Sequence, residues 1–230
     1  MNLARSDMGD PVGLVLARPL FGPDIAVAAT NPRASHYRPL AQESGAMARM
    51  APVRKRAFSA GRAAAHDCML QLGRKVQPVL TTPDRAPLWP QGLTGSISHS
   101  QSCCVAVLGP TNDVRSLGVD VEEATGLDDD LTGIICTPAE KAWLSTRPRD
   151  RARLLAKLIF SAKECAYKCQ YPLSKTLFGF DTFDITPDPE SGQFEATFLR
   201  DIPHFRAGTQ LFGRFVISHG LIVTAMTLVA

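Results

Sequence analysis

The 230-residue chain is long enough for one large domain or two small ones, and hydrophobic residues make up 45% of it. The sequence predicts no membrane span, because no run of about 18 apolar residues occurs, and acids, Gly and Pro near the start interrupt any secretory signal. A net charge of +3 does not indicate nucleic-acid binding, and six cysteines without C-x-x-C spacing favour reduced, buried thiols in a cytoplasmic protein.

The first half of the chain mixes strand and helix patterns. VGLVLARPLF and IAVAA, within the first 40 residues, favour short strands and loops. Apolar residues at helical spacing then predict a helix that Gly73 ends as a C-cap, followed by a proline-rich connection over residues 76–95. GSISHS, CCVAVLG and SLGVDVEE are predicted strands, because small and β-branched residues replace helix formers there.

The second half begins with two predicted helices and ends in strands. Thr137 and Glu140 match a capping box ahead of a short helix, AEKAWLS. A longer helix with a broad apolar face is predicted from about Arg151 to Cys169. FGFDTFDI, GQFEATFL, QLFGRFVI and LIVTAMTLV are typical of antiparallel strands. Since this order favours local pairing, it predicts an α+β fold and not a doubly wound parallel sheet.

Charges of opposite sign crowd different regions. Basic residues concentrate over residues 49–75 and acidic residues over residues 120–130. This pattern suits a polyanionic ligand bridged by a metal, although two solvated faces explain it equally well. Arg54 and Arg62 lie about two helical turns apart and can clamp an extended anion together, with Arg85 on the stiff connection as a third cation. Each is also typical of a plain surface arginine.

The strand SLGVDVEE carries the first candidate metal ligands. Asp120 and Glu122 are two residues apart, so their side chains share one face, whereas Glu123 faces the other way and is left out. Their α-carbons would be about 6.6 Å apart, so the two side chains must converge on one ion or act through a water. The alternative is an edge strand with acids facing solvent.

The stretch LIFSAKECAYKC carries the second group. Glu164 and Lys168 are neighbours on one helical face, which predicts either an ordinary surface ion pair or part of a partly buried site. Cys165 and Cys169 lack a second pair to complete a zinc site, so we interpret them as packing residues.

Ser98 and His99 close the predicted strand GSISHS. The histidine could pair with a phosphate or be a satisfied structural residue. No G-x-S-x-G turn surrounds the serine, so nucleophilic catalysis is not expected.

Four stretches in order are more specific than any of these patterns alone: VRKRAFSAGRAAA, DRAPLWPQGLTGSISHS, LGVDVEE and FSAKECAYK. Together they resemble the 4'-phosphopantetheinyl transferases, most closely the branch of the enterobactin synthase component D enzymes, over about residues 40–180. Many relatives carry tryptophan in place of Phe160. The resemblance implies transfer of the phosphopantetheine arm of coenzyme A to a serine of an apo carrier protein, with release of adenosine 3',5'-bisphosphate.

The resemblance also implies an architecture and a set of roles. The fold would be a pseudo-dimer of two similar α+β halves, residues 1–115 and 116–230, each with a long helix on a small antiparallel sheet and the active site in the cleft between them. The magnesium ligands would be Asp120, Glu122 and Glu164. The catalytic residues would be Glu164 and Lys168, with Glu164 or a metal-bound water as the base. The coenzyme A-binding residues would be Arg54, Arg62, Arg85, Ser98, His99, Asp120 and Lys168, with Arg54 and Arg62 on the nucleotide phosphates and Arg85, Ser98 and His99 along the adenine and 3'-phosphate side.

Two other classes of function fit parts of the pattern. A magnesium-dependent phosphohydrolase would use the same acids and arginines, and a coenzyme A sensor without turnover would keep the binding residues. The carrier protein could belong to a siderophore, polyketide or fatty-acid pathway. A monomer is expected because one chain would hold both halves of the site.

Overall fold

The computed structural model describes residues 11–230, so the first ten residues of the predicted N-terminal half lie outside the described residues. The α-helices are α1 Pro11–Ala17, α2 Pro52–Gln71, α3 Asp129–Ile135, α4 Pro138–Ser145 and α5 Arg149–Ser174, and 3-10 turns occur at Arg18–Leu20, Ala41–Met47 and Phe180–Thr182. The strands are β1 Ala26–Thr30, β2 Leu80–Thr81, β3 Pro87–Leu88, β4 Leu93–His99, β5 Cys104–Pro110, β6 Val114–Glu123, β7 Phe183–Asp188, β8 Gln193–Phe198, β9 Gln210–Ser218 and β10 Leu221–Val229.

Two antiparallel sheets carry the two longest helices. The smaller sheet has the order β1-β5-β4 and packs against α2, and the larger has the order β6-β10-β9-β8-β7 and packs α5 across β6 and β10. β2 and β3 form a short hairpin within the proline-rich connection. This mixture of helices and antiparallel sheets confirms the predicted α+β class, while the similarity of the two halves remains a prediction.

The prediction for the first apolar segment was wrong. VGLVLA forms helix α1 instead of a strand, whereas IAVAA enters β1 as predicted. Pro11 suits the first position of a helix, because its missing N–H would have no partner there. Leu16 and Ala17 are buried in the same core cluster as Val27 of β1, so tertiary packing decides the conformation.

The end of α2 follows the sequence prediction. Gly73 has a φ of +67°, a conformation that glycine adopts without a steric penalty. Its N–H donates to the carbonyl of Leu70, and the N–H of Arg74 donates to that of Met69. These two hydrogen bonds form a Schellman motif and stop the helix.

The helices of the second half extend beyond the prediction. Helix α5 runs to Ser174, through Pro172, and not to Cys169. A proline near a helix end removes one backbone hydrogen bond, and Lys175 at a φ of +53° then ends the helix. Helix α3 was not predicted, although Asp129 and Asp130 in its first turn are a favourable signal at a helix N-terminus.

Strand β6 joins the cores on its two sides. Val119 and Val121 are buried on one face, as predicted from the alternation of the strand. On the other face, Gly118 lets α5 approach closely, since a Cβ at this position would lie 2.3 Å from the carbonyl oxygen of Cys165. The absence of a side chain therefore brings α5 against the acidic end of β6.

The state of the cysteines and the character of the helices agree with the predictions made from the composition. All six cysteines are buried and free, and burial raises the pKa of the Cys169 thiol to about 12, which fits a packing role. Within residues 11–230, no helix has the length and apolar character needed to cross a membrane.

Candidate active site

Asp120 lies at the centre of a buried polar network between β6 and α5. It is 2% exposed, so the solvent-facing alternative is wrong for this residue. Its Oδ1 accepts hydrogen bonds from Lys168 Nζ at 2.6 Å and from Ser98 Oγ at 2.7 Å. Its Oδ2 accepts a hydrogen bond from Ser161 Oγ at 2.8 Å. Charge-assisted hydrogen bonds of this kind fix the orientation of a carboxylate.

Glu122 faces the same helix as Asp120, as the strand alternation predicted. Lys157 Nζ of α5 lies 3.0 Å from Glu122 Oε2. This lysine lies about three helical turns before Lys168, which reaches Asp120. Burial raises the pKa of Glu122, and the charge of Asp120 raises it further, while Lys157 opposes the shift. The two carboxylates therefore lie close enough to repel each other.

Glu164 approaches these carboxylates from α5. Burial raises its pKa; Lys168 opposes this shift, while the charges of Asp120 and Glu122 add to it. Lys168 forms its ion pair with Asp120 and also donates to Ser98 Oγ at 2.9 Å. These contacts contradict the surface-pair alternative and agree with the partly buried site. Asp120, Glu122 and Glu164 form what we call the acidic cluster.

The acidic cluster has the donor type of a magnesium site but not its closed geometry. Carboxylate oxygens are the ligands that Mg²⁺ prefers, and mutual repulsion of the three acids favours a cation among them. In the described part of the chain, no group of three or more acidic, histidine or cysteine side chains stands close enough to hold an ion as it is. Lys157 and Lys168 occupy oxygens of Glu122 and Asp120 instead.

A second feature, the arginine pocket, opens beside α2. It has a volume of about 660 Å³ and is lined by Arg54, Arg62, Arg85 and His99, among others. Arg54 and Arg62 lie on α2, and Arg85 lies in the connection between β2 and β3. The fold therefore brings Arg85 beside Arg62, which is 23 residues earlier in the chain. The sequence prediction that they share one surface is correct.

Arg62 is the buried member of the arginine pocket. It is 6% exposed, stacks 4.4 Å from the centre of the Phe58 ring, and donates through Nη2 to Thr81 Oγ1 at 3.1 Å. Burial lowers its pKa, and Glu43 opposes the shift. Its Nε lies 4.0 Å from Glu43 Oε1 and has no hydrogen-bond partner within the described residues. An unpaired buried donor of this kind suits an anionic ligand.

Sequence reasoning missed Glu43, which organises this pocket. The carboxylate is buried and accepts hydrogen bonds from the N–H groups of Leu40 and Val79, both at 2.8 Å, while His66 Nε2 lies 2.9 Å away. Burial opposes ionisation, but the hydrogen bonds outweigh it and lower the pKa of Glu43. An isolated glutamate in a short 3-10 turn gives no signal of this role, because its partners lie up to 36 residues away.

Ser98 and His99 point to opposite sides of β4. The hydroxyl of Ser98 belongs to the acidic cluster through Asp120 and Lys168, and not to the arginine pocket. His99 lines the arginine pocket. Desolvation is the main cause that lowers its pKa, and the charges of Lys168 and Arg54 lower it further. The end of β4 therefore separates the two features by one residue.

Glu123 is held away from Asp120 and Glu122, as predicted. Its Oε1 accepts hydrogen bonds from the hydroxyls of Ser100 and Ser102 at 2.9 and 2.8 Å. The acids at residues 128–130 belong elsewhere, since Asp128 and Asp129 pair with Arg153 and Arg149 beside α3. Only part of the acidic stretch of the sequence therefore contributes to the site.

A third feature, the aromatic pocket, adjoins Glu164. It encloses about 120 Å³ between α5 and the turn that precedes β7, and its lining residues are Lys163, Glu164, Tyr167, Phe178, Gly179, Phe180 and Phe183. The ring centres of Tyr167 and Phe178 are 5.2 Å apart, in an edge-to-face contact. The sequence suggested a strand at residues 178–182, so this pocket was not anticipated.

Sequence comparison with known protein families finds a match in each half of the chain. The family model of the 4'-phosphopantetheinyl transferase N-terminal domain matches residues 42–109, and that of the 4'-phosphopantetheinyl transferase superfamily matches residues 116–219. The 4'-phosphopantetheinyl transferase PptT of Mycobacterium tuberculosis is 32% identical and covers 96% of this chain and 99% of its own length. Svp of Streptomyces mobaraensis is 33% identical over 82% of this chain and 78% of its own length.

The predicted resemblance to the enterobactin branch is also found, over a shorter span. The enterobactin synthase component D of Salmonella typhi is 37% identical over 58% of this chain and 55% of its own length. Nearly full-length similarity to a named transferase at more than 30% identity does not support the phosphohydrolase alternative. The chain belongs to the 4'-phosphopantetheinyl transferase superfamily, whose members use coenzyme A to modify carrier proteins.

Proposed function

We propose that this transferase binds coenzyme A across the end of β4, with the nucleotide phosphates in the arginine pocket and the pyrophosphate at the acidic cluster. The observation that carries the proposal is the adjacency of the two features: Ser98 belongs to one and His99 to the other. Coenzyme A carries a 3'-phosphate and a 5'-pyrophosphate on one adenosine, so a single ligand can reach both the arginine pocket and the acidic cluster. The transferred arm then lies beside Glu164.

In this proposal, the arginine pocket binds the nucleotide end of coenzyme A. Arg62 offers a buried N–H without a hydrogen-bond partner among residues 11–230, and Arg54, Arg85 and His99 line the same pocket. Planar guanidinium groups bind phosphate oxygens through paired hydrogen bonds. These residues therefore orient the substrate and neutralise its charge without taking part in bond breaking.

Asp120, Glu122 and Glu164 would hold a magnesium ion in the proposed complex. When bound, the ion would neutralise pyrophosphate charge and polarise the phosphoryl group. Lys168 would contribute a further positive charge where negative charge develops on the phosphate oxygens. Cation binding has to compete with Lys157 and Lys168 for the oxygens of Glu122 and Asp120.

The attacking group is a serine hydroxyl of the carrier protein. Its oxygen attacks the β-phosphate, and adenosine 3',5'-bisphosphate leaves. Glu164 is the candidate that accepts the serine proton, directly or through a water, because its carboxylate lines the aromatic pocket and belongs to the acidic cluster. Glu164→Gln should then lower the rate of transfer and change the pH-rate profile, because the group that accepts the proton is gone. An unchanged profile with a uniform loss of rate would contradict the base role.

The aromatic pocket suits the uncharged chain of coenzyme A better than its phosphates. Its walls are aromatic, and the charge of Lys163 is neutralised by Glu140 at 2.9 Å. The two sides of Glu164 would therefore accept different parts of one substrate. We further propose that residues 1–115 and 116–230 act as two halves of a pseudo-dimer in one monomeric cytoplasmic chain.

The test is a panel of apo carrier proteins from siderophore, polyketide and fatty-acid pathways, incubated with coenzyme A and magnesium. Mass spectrometry should show a carrier that gains the mass of one phosphopantetheine arm, in a reaction that a chelator stops and added magnesium restores. A chain that only binds coenzyme A, without modifying any carrier, would be the sensor. Release of phosphate without carrier modification would contradict the transferase proposal.

A further inference from the structure

Lys163 is a buried cation beside the active site. Its side chain is 1% exposed, although it is the immediate neighbour of Glu164 in α5. Its Nζ lies 2.9 Å from Glu140 Oε2, and Glu140 is equally buried. A charge in the protein interior is stable only when it is paired and hydrogen-bonded, so an interaction of this kind requires a defined geometry.

The ammonium group of Lys163 has three acceptors, which match its three protons. Besides Glu140, it donates to the carbonyl of Ile135 at 2.8 Å and to the carbonyl of Phe180 at 2.9 Å. Ile135 is the last residue of α3, and Phe180 begins the turn before β7. The lysine therefore ties α5 to two segments that come from distant parts of the chain.

Glu140 extends these connections. Its Oε2 accepts from the N–H of Thr137 at 2.7 Å, which completes the capping box of α4, and its Oε1 accepts from the N–H of Ile185 at 2.7 Å. The pair consequently joins α5 to the end of α3, the start of α4 and strand β7. The sequence indicated the capping box but not that its glutamate also neutralises a lysine.

The same contacts hold one wall of the aromatic pocket. Phe178, Gly179 and Phe180 form this wall, and Glu164 of α5 lines the same pocket. Because the Phe180 carbonyl is bound to the residue next to Glu164, the pair fixes the distance between wall and carboxylate. It also leaves the pocket without an unneutralised ammonium group from Lys163 that would attract phosphate.

We propose that the Lys163–Glu140 pair positions the Phe178–Phe180 wall relative to the acidic cluster, and so determines how the chain of coenzyme A is held for transfer. This inference rests on the proposed function. Neither residue touches the reacting atoms, so both are positioning residues. A small displacement of a substrate relative to catalytic groups can lower a rate by up to about a hundredfold.

The test separates positioning from stability with two variants. Lys163→Met leaves the Glu140 carboxylate buried without its cation, and it should destabilise the protein strongly. The double variant Lys163→Met/Glu140→Gln removes both charges and should recover much of that stability in thermal unfolding. In the double variant, the carbonyls of Ile135 and Phe180 still lack the hydrogen bonds that Lys163 donates, so the wall should remain displaced.

The decisive readout is the affinity for two ligands, measured by calorimetry. In the double variant, the Kd for coenzyme A should rise about tenfold, which corresponds to about 1.4 kcal/mol. The Kd for adenosine 3',5'-bisphosphate, which lacks the chain, should stay at the wild-type value. Phe178→Ala keeps the ion pair and alters the wall directly. It should also raise the Kd for coenzyme A and leave the Kd for adenosine 3',5'-bisphosphate unchanged. Lys141→Met, at an exposed lysine next to Glu140, is the matched control and should change neither Kd.

Three outcomes would overturn the proposal. Recovery of both stability and coenzyme A affinity in the double variant would show that the pair is only structural. An equal loss of affinity for the two ligands would indicate a general distortion, and unchanged affinities in Phe178→Ala would show that the wall does not contact the chain. Failure of the proposed function is a separate result, because it would appear as wild-type protein that labels no carrier.

Discussion

Helices α2 and α5 each bring basic side chains to the site, but they hold them in different states. On α2, Arg62 is buried and lies 4.0 Å from Glu43, but its Nε–H has no hydrogen-bond partner within the described residues. On α5, Lys157, Lys163 and Lys168 each form an ion pair with a carboxylate. An unpaired buried donor has a free-energy cost that a ligand can relieve, whereas a paired lysine must exchange partners.

This difference suggests how the two sides respond to substrate. The α2 side is ready for an anion before binding, because Glu43 and Thr81 hold Arg62 in place. On the α5 side, Lys157 and Lys168 pair with Glu122 and Asp120, so in the proposed complex a cation and phosphates would have to replace these partners. We therefore expect substitutions on α2 to affect binding and substitutions on α5 to affect turnover.

The largest effect is expected for Lys168→Met. Loss of a positive donor at the reacting phosphates should lower kcat by about a hundred- to a thousandfold. Asp120 keeps its hydrogen bonds from Ser98 and Ser161, so the protein should still fold. Initial rates of carrier modification by mass spectrometry test this, with the exposed Arg151→Met of the same helix as control. A loss of less than tenfold would remove Lys168 from the catalytic group.

Arg62→Met should act mainly on binding. Removal of a charge-assisted hydrogen bond of about 1.5–3 kcal/mol corresponds to a rise of roughly ten- to a hundredfold in KM for coenzyme A. The value of kcat should change much less. Steady-state kinetics across coenzyme A concentrations measure both, and Arg74→Met, an exposed arginine after α2, is the control. If kcat falls and KM does not, the contrast between the two helices is wrong.

Glu43→Gln tests the support of Arg62. Loss of the buried carboxylate should lower the free energy of unfolding by about 1–3 kcal/mol at neutral pH, because hydrogen bonds to a charged group are replaced. The folded state lowers the pKa of Glu43. Its contribution is therefore complete above the unfolded-state pKa and is lost as the pH falls through the lower folded-state pKa.

Urea unfolding of wild type and Glu43→Gln at pH 7 and in acid provides the measurement. The difference in unfolding free energy between them should shrink in acid, as the wild-type carboxylate gains a proton. A difference that grows as the pH falls would contradict the assigned direction of the pKa shift.

The smallest effect is expected for Arg149→Met. Arg149 forms an ion pair with Asp129, and the two side chains are 79% and 66% exposed, respectively. Exposed pairs contribute at most about 1 kcal/mol to stability. Transfer activity should equal that of wild type, since these acids lie outside the acidic cluster. A clear loss of transfer would mean that residues 128–130 belong to the site after all.

Much of the site followed from local pattern. Alternation on β6 put Asp120 and Glu122 on one face and Glu123 on the other, and the structure agrees. The capping box of α4 and the glycine stop of α2 were equally predictable, because each depends on residues within a few positions of one another.

Errors arose where long-range packing outweighs local preference. Helix α1 was predicted as a strand because a short apolar run fits either element, and only burial of its side chains decides. The spacing of Glu164 and Lys168 left a surface ion pair open as an alternative, but Lys168 pairs with Asp120 once Gly118 brings α5 onto β6. A sequence neighbour is a guide to contact only on an isolated helix.

The sequence by itself determined the family, the α+β class and the residue types that we propose bind phosphate and a metal. These properties reside in motifs whose members are close in the chain or recur in a fixed order. Only the tertiary structure decided the partners of the buried charges, among them Glu43 with Arg62, Glu140 with Lys163 and Asp120 with Lys168. Such pairs join residues 19 to 48 positions apart, and their stability depends on exclusion from water, which packing creates and no local pattern encodes.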